Sequence, residues 1–427
     1  LVLIDEDALE RFFAWAEAES HIGWLKPAVI AGALLVPATL VQGVLSAAFD
    51  LTTAWRLTLG LQVVLYLLTT RRLSADYVPL LGDARHRPFI ALRRMFARVE
   101  SRRFRAPLLK RVQADLGPEG QRPSQRMATF ESVLEGLAVR HSALLYALVS
   151  VGLMWELFQG ARLERWRARH GKRLRADVAA LADFEVLASL GAFADDHPAY
   201  AWPTVAPAGD GPVFDGRALG HPLFPRATRK TNDFTIPSGG LLVLITGSNM
   251  SGKSSFLRTV GINTRLAQAG APACADALHL VPCGLSTSIQ VTDAPAFGLS
   301  RFYAEVKRIR GVVEAVEAAE QDPAKLPRLY LVDEMLSGTN SRERNLACRA
   351  IVRRLVAAER SFGLVTTHDL DLVGIAEDLP ENIVCYHFSD RFDGEKLHFD
   401  YTLTPGVATT TNALHVLAME GIEVPGA

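Results

Sequence analysis

The stretch from Leu241 to Ala269 constrains the fold of this chain more than any other. Leu241 to Thr246 is an apolar run of strand length. It leads directly into Gly247-Ser248-Asn249-Met250-Ser251-Gly252-Lys253-Ser254, which fits GxxxxGK[ST] at every fixed position, and a helix is expected from Ser254 to about Ala269. A strand that feeds a glycine loop into a helix needs a sheet with helices packed on it, so this region reads as an α/β domain. The chemistry follows from the residue types. Glycines let backbone N–H groups turn inward toward phosphates, and the helix N-terminus adds positive potential. Lys253 can reach the β and γ phosphates, and Ser254 can ligate Mg²⁺. The expected phosphate cradle is Gly247, Ser248, Asn249, Met250, Ser251, Gly252, Lys253, Ser254 and Ser255.

Two further strand ends carry matching chemistry. Leu329 to Val332 is an apolar run ending in Asp333-Glu334. Adjacent carboxylates at a strand end suit a metal-holding residue, Asp333, and a base that orients and deprotonates the attacking water, Glu334. Phe362 to Val365 ends in Thr366-Thr367-His368-Asp369, where His368 can hydrogen-bond a γ-phosphate or the attacking water. Alone, the carboxylates read as a solvated strand terminus and His368 as a structural histidine. The three motifs in this order point to a nucleotide hydrolase.

At these residues the sequence resembles the MutS family, whose ATPase domain belongs to the ATP-binding-cassette class. The resemblance rests on the loop with its Asn249-Met250 core, Asp333-Glu334 followed by Ser337-Gly338-Thr339, and Thr367-His368-Asp369. Gly298-Leu299-Ser300-Arg301-Phe302 is similar to the family's signature segment, with Arg301 at the usual threonine position. His221-Pro222, Asp183 to Ser189 and Gly406 to Pro425 resemble the opening of the ATPase domain, the helix that leads into it and the closing helix-turn-helix. The resemblance implies ATP and Mg²⁺ as cofactors, a homodimer through the ATPase domains, and Ser300 of one subunit capping the γ-phosphate held by the other. Read without it, Gly298 to Glu305 is a loop entering a helix from Tyr303 to Ala319. Asn340 and Ser341 are expected near that interface. The adenine-stacking residue is not identified, although Asn232 to Phe234 lies at a plausible distance before the loop.

The N-terminal half reads differently. Residues 71–175 carry 22 Lys and Arg against 9 Asp and Glu, although the whole chain is neutral at 46 against 46, so any polyanion surface must be local. Pro27 to Phe49 holds no charge over 23 residues, and Leu57 to Thr70 adds 14 more. A bilayer core needs about 20 apolar residues per helix, so residues 27–70 suggest a transmembrane helical hairpin, with the second pass weaker than the first. Lys26, Arg71 and Arg72 would keep both ends in the cytoplasm. A buried hairpin of a soluble cytoplasmic domain is the alternative. From Asp83 to about Ala206 the pattern is helical, with one long helix expected across Ser132 to Arg175. Prolines 198, 203 and 207 and glycines 209, 211 and 216 suggest a linker.

The expected organisation is therefore a membrane-anchoring hairpin over 1–82, an all-α core or lever domain over 83–206, and a P-loop ATPase domain of the ATP-binding-cassette type over 207–427. Cys274, Cys283, Cys348 and Cys385 have no metal-ligand spacing and read as reduced thiols. No mismatch-recognition wedge of the Phe-x-Glu kind is recognisable before Gly82, and DNA binding is not inherited automatically from the resemblance. The basic stretches Arg85 to Arg111 and Arg162 to Arg175 offer phosphate contacts, or anchors to anionic lipid. Two functions compete. In one, nucleotide-driven dimerisation moves helical levers on mismatched or branched DNA. In the other, a membrane-tethered switch acts on a protein partner without nucleic acid.

Overall fold

The computed structural model describes residues 6–49, 53–77, 86–117, 122–137, 149–207, 211–248, 251–289, 301–336, 340–392 and 397–408. Asn249, Met250, Ser300 and its flanking Gly298 and Leu299, Ser337-Gly338-Thr339, and all but the first residues of the closing helix-turn-helix lie outside them. The chain divides into two compact units, Leu1–Ser189 and Leu190–Ala427.

The first unit is helical: α1 (Glu6–Glu17), α2 (Ile22–Phe49), α3 (Trp55–Tyr77), α4 (His86–Glu100), α5 (Pro107–Asp115), α6 (Pro123–Leu137) and α7 (Trp155–Asp196), the last running past the unit's end. Its core is aromatic. The Phe12 ring lies 4.5 Å from that of Phe89, and Phe130 lies 4.7 Å from Trp166. Helix α1 closes on α7 at Gly171, where any Cβ would collide with the Ala16 carbonyl. Two buried ion pairs fix α7 further. Arg126 meets Asp177 at 2.6 Å, and Arg167 meets Glu164, whose other oxygen accepts the His21 N–H. The single helix expected over Ser132 to Arg175 is interrupted instead. Helix α6 ends at Leu137, and Met154, at φ 49°, takes a left-handed conformation that no α-helix continues through before α7 starts.

Helices α2 and α3 pack on each other, and Thr58 donates to Gln42 between them. Among the described residues, α2 is the one helix long and apolar enough to cross a bilayer; the two passes expected from the sequence reduce to one by that measure. Ile30, Leu34, Leu40, Val41, Val44 and Phe49 are each more than half exposed.

The second unit contains two sheets. Strands β1 (Thr204–Val205), β5 (Ala277–Leu280), β2 (Phe214–Gly220) and β3 (Thr231–Ile236) form one, in that order. The other has six strands in the order β10-β9-β4-β8-β7-β6, comprising β4 (Leu242–Thr246), β6 (Gly284–Ser288), β7 (Arg328–Asp333), β8 (Phe362–Thr367), β9 (Ile383–Phe392) and β10 (Leu397–Pro405). All its pairings are parallel except β10 with β9. The stretch expected as a linker is partly built into this unit: β1 pairs with β5, and Ala201 and Ala206 donate to carbonyls of residues 273–280.

Period-two alternation sorts the six-stranded sheet into two faces. Val243, Ile245, Leu329, Leu331 and Leu364 point into one core with Phe256, Leu257 and Val260 of α8 (Lys253–Gln268). Leu244, Tyr330, Val332 and Val365 point into another, with α9 (Arg301–Gln321), α10 (Ser341–Val356) and α11 (Leu370–Asp378). Burial on both sides explains why these strands read as continuous apolar runs. Strand β4 lies between β8 and β9, so the loop leaving its carboxyl end opens where the strand order turns, the usual ligand position in such sheets.

Candidate functional site

The loop after β4 meets the ends of β7 and β8. Gly247, at φ 145°, and Gly252, at φ 107°, adopt backbone conformations that side chains disfavour, and a Cβ on Gly247 would press on the Phe388 carbonyl and on Ser251 Oγ. Gly252 is the N-cap of α8 and gives its first turn no side-chain cap, which leaves N–H groups available there. Ser251 Oγ is buried with no hydrogen-bond partner among the described residues. A buried hydroxyl without a partner beside an uncapped helix start is the chemistry expected of a phosphate cradle.

Lys253 is 4% exposed and curls back over the loop. Its Nζ donates to the Gly247 and Ser248 carbonyls, each at 2.8 Å, and lies 3.6 Å from Glu334 Oε1. Burial pushes its pKa down, an effect that Glu334, Asp333 and Asp390 oppose. Glu334 Oε1 is also 3.4 Å from His368 Nδ1, so the carboxylate stands between the ammonium and the imidazole.

The register of β7 against β8 builds this arrangement. Asp333 pairs with Thr366, and the Thr366 hydroxyl donates to Asp333 Oδ1 at 2.7 Å while accepting the Glu334 N–H at 3.0 Å. One buried hydroxyl therefore holds the first carboxylate and the backbone of the second. Glu334 itself has φ 45°, a left-handed turn that directs the chain away from the strand immediately after the carboxylate pair. The residues present fit a bound Mg²⁺–nucleotide: Asp333 is oriented by Thr366, Ser254 lies in the first turn of α8, and both are partly exposed.

Lys253, Asp333, Glu334 and His368 are thus gathered at one edge, with Gly247, Ser248, Ser251 and Gly252 beside them; Ser254 and Ser255 follow in the helix. Asn249, Met250 and Ser300 lie outside the described residues. Phe234 does not offer a face for a base, because it is 2% exposed and packs edge-on to Phe256 and Tyr386. Asn232 instead ties β3 to β10, bonding the Tyr401 carbonyl and the Leu403 N–H. Sequence reasoning missed the bridging role of Thr366. It also missed Asp390, which accepts the Ser248 hydroxyl at 2.7 Å, and Tyr401, whose ring lies against Gly252. Asp390 and Tyr401 come from the distant β9 and β10, and no local motif marks them.

Residues 243–425 match the sequence profile of MutS domain V. The C-terminal half of this chain belongs to the MutS family. It is similar to the DNA mismatch repair protein MutS 2 of Halobacterium salinarum, at 31% identity over 277 residues, which is 64% of this chain and 30% of that protein. The DNA mismatch repair proteins MutS of Natronomonas pharaonis and Thermus aquaticus match at 29% over 274 residues and 31% over 256, covering 63% and 60% of this chain and 30% and 29% of theirs. The chain thus spans about a third of the length of the curated relatives it matches. All three strand-end motifs fall inside the part that matches domain V.

Proposed function

We propose that this chain is a MutS-like P-loop ATPase, with an ATP-binding-cassette type of fold, whose nucleotide-driven homodimerisation moves helical levers on DNA. The observation that carries the reading is the convergence of Lys253, Glu334 and His368 beneath a glycine loop whose buried Ser251 hydroxyl lacks a partner. Gly247 to Ser255 hold the phosphates, and Tyr401 supplies an aromatic face beside the loop. Ser254 and Asp333 would hold Mg²⁺, which would supply neutralisation of charge on the phosphate oxygens. Glu334 takes a proton from the attacking water, and His368 donates to the γ-phosphate end. Nucleotide entry pulls Lys253 from Glu334 toward phosphate, freeing the carboxylate for that role. Ser300 of the partner protomer completes each site, so ATP acts as an interfacial clamp.

The organisation proposed with it is a hairpin over 1–82, a helical lever over 83–206 and the ATPase with its helix-turn-helix over 207–427. Of the two basic stretches, the second is partly neutralised: Arg167, Arg173 and Arg175 are committed to Glu164, Asp177, Glu10 and Glu17, while Arg162, Arg165, Arg169 and Lys172 are exposed. In the first, Arg94, Arg98, Arg102, Arg103, Arg105, Lys110 and Arg111 are exposed and pair with no acid among the described residues. That face supports polyanion binding by the first stretch, with the salt dependence of phosphate contacts. The test is the steady-state ATPase rate with and without branched duplex at low salt. Stimulation that is lost in Lys253→Ala is expected; a rate equal in the two proteins would refute the assignment.

The exposure of Ile30, Leu34, Leu40, Val41, Val44 and Phe49 along α2 favours a second reading, a membrane-tethered switch with its ATPase on the cytoplasmic face. Retention in the membrane fraction after carbonate washing supports it, and complete release rejects it.

A further inference from the structure

Beside Glu334 and His368 the structure holds a second charged pair that the ATPase assignment does not use. Arg344 Nη2 lies 2.9 Å from Asp369 Oδ2, with the two side chains 20% and 17% exposed. Asp369 directly follows His368, and its N–H donates to the Thr367 hydroxyl at 3.0 Å, which closes a tight turn at the end of β8. Arg344 belongs to the first turn of α10, where its N–H bonds the Asn340 carbonyl and the Asn340 side chain caps the Arg342 N–H. Glu334, Arg344, Cys348, Thr367, His368 and Asp369 line one cavity. The pair therefore joins the start of one helix to the strand end that carries His368, at the wall of the pocket into which Glu334 projects.

We propose that Arg344 is a positioning residue for the hydrolytic step: through Asp369 it fixes the end of β8 so that the His368 ring stands at the Glu334 carboxylate. The inference rests on the ATPase reading. Three features support it. The pair is partly shielded from water, so its attraction is screened less than that of a surface pair. It puts a positive charge beside Asp369, which lines the same cavity as Glu334. Its two ends sit on separate elements, so breaking it removes a tie between β8's end and α10 rather than loosening a single helix. Misplacement of a reacting group by about 1 Å costs roughly 100-fold in rate.

The experiment compares the full-length protein with Arg344→Ala, Asp369→Asn, the swap Arg344→Asp/Asp369→Arg, and Glu334→Gln as the hydrolysis-dead control. Turnover and the affinity for a fluorescent ATP analogue are measured on each, with melting temperature as the check on folding. Both single variants are expected to lose roughly 10- to 100-fold in kcat with analogue affinity within about 3-fold of the parent, and the swap is expected to recover most of the loss. Folded single variants with parental kcat would overturn the proposal, as would kcat and affinity falling together with no recovery in the swap. A parent no faster than Glu334→Gln would instead remove the ATPase reading, and this inference with it.

Discussion

Replacing Glu334 with glutamine should separate nucleotide binding from hydrolysis and make binding tighter. The Glu334 carboxylate is the group that neutralises Lys253, at 3.6 Å, and it is 30% exposed. Coulomb's law at that separation gives about 5 kcal/mol at an effective dielectric of ~20 and about 1 kcal/mol in bulk water. Partial exposure favours the lower part of this range. A phosphate that captures Lys253 must first give up that attraction, and it then sits beside a like charge. Glutamine removes both penalties with almost no change of shape. ATP affinity should therefore rise by about 1 kcal/mol, roughly 5-fold, while turnover falls roughly 10²- to 10⁴-fold through loss of the base. Equilibrium titration with a fluorescent ATP analogue and single-turnover hydrolysis measure the two effects on one preparation. Turnover at the parental rate, or weaker binding in Glu334→Gln, would refute the reasoning.

Thr366→Val keeps the shape of the side chain but deletes both bonds of the bridging hydroxyl. It should lower kcat about 10-fold and stability by about 1–3 kcal/mol, and a variant with unchanged turnover would show that Asp333 is oriented by other means. Gly363→Ala would drive a Cβ into the Tyr330 carbonyl and ring across the β7–β8 pair, costing about 3 kcal/mol in denaturant unfolding; a wild-type midpoint would contradict that packing. His170, half-buried against Trp166, has its pKa pushed below 6.5 by burial and by nearby Arg126 and Arg169. The unfolded chain binds that proton more readily, so the histidine makes stability rise with pH across the window below 6.5 and level off above it. Acidification from about pH 7 to about pH 5 should therefore destabilise the native protein less in His170→Gln; identical pH slopes would exclude this histidine as a cause.

Much of the α/β half was legible in the sequence because its signals are local. The expected strands at 241–246, 329–332 and 362–365 are observed as Leu242–Thr246, Arg328–Asp333 and Phe362–Thr367, and the expected helix after the loop runs Lys253–Gln268. Apolar runs bounded by glycine or by a carboxylate pair mark such elements by their own residues. The helical half was less legible. A helix interior has no breaker to announce a stop, and Met154's left-handed conformation follows from packing rather than from any propensity of methionine.

By itself the sequence determined which groups are the candidates for chemistry: a lysine after a glycine loop, a carboxylate pair at one strand end and a histidine at another, each written within a few residues. Tertiary structure alone decided what those groups do to one another. Strand register set Thr366 against the Asp333 carboxylate and the Glu334 backbone, the β9–β10 hairpin brought Asp390 and Tyr401 to the loop, and α10 set Arg344 against Asp369. These partners lie tens to more than a hundred positions apart, and only the folded arrangement of strands and helices brings them into contact. It also decided that of two basic stretches alike in composition, the second gives Arg167, Arg173 and Arg175 to internal carboxylates while most of the first faces solvent, because pairing depends on which acids the fold brings within a few ångströms.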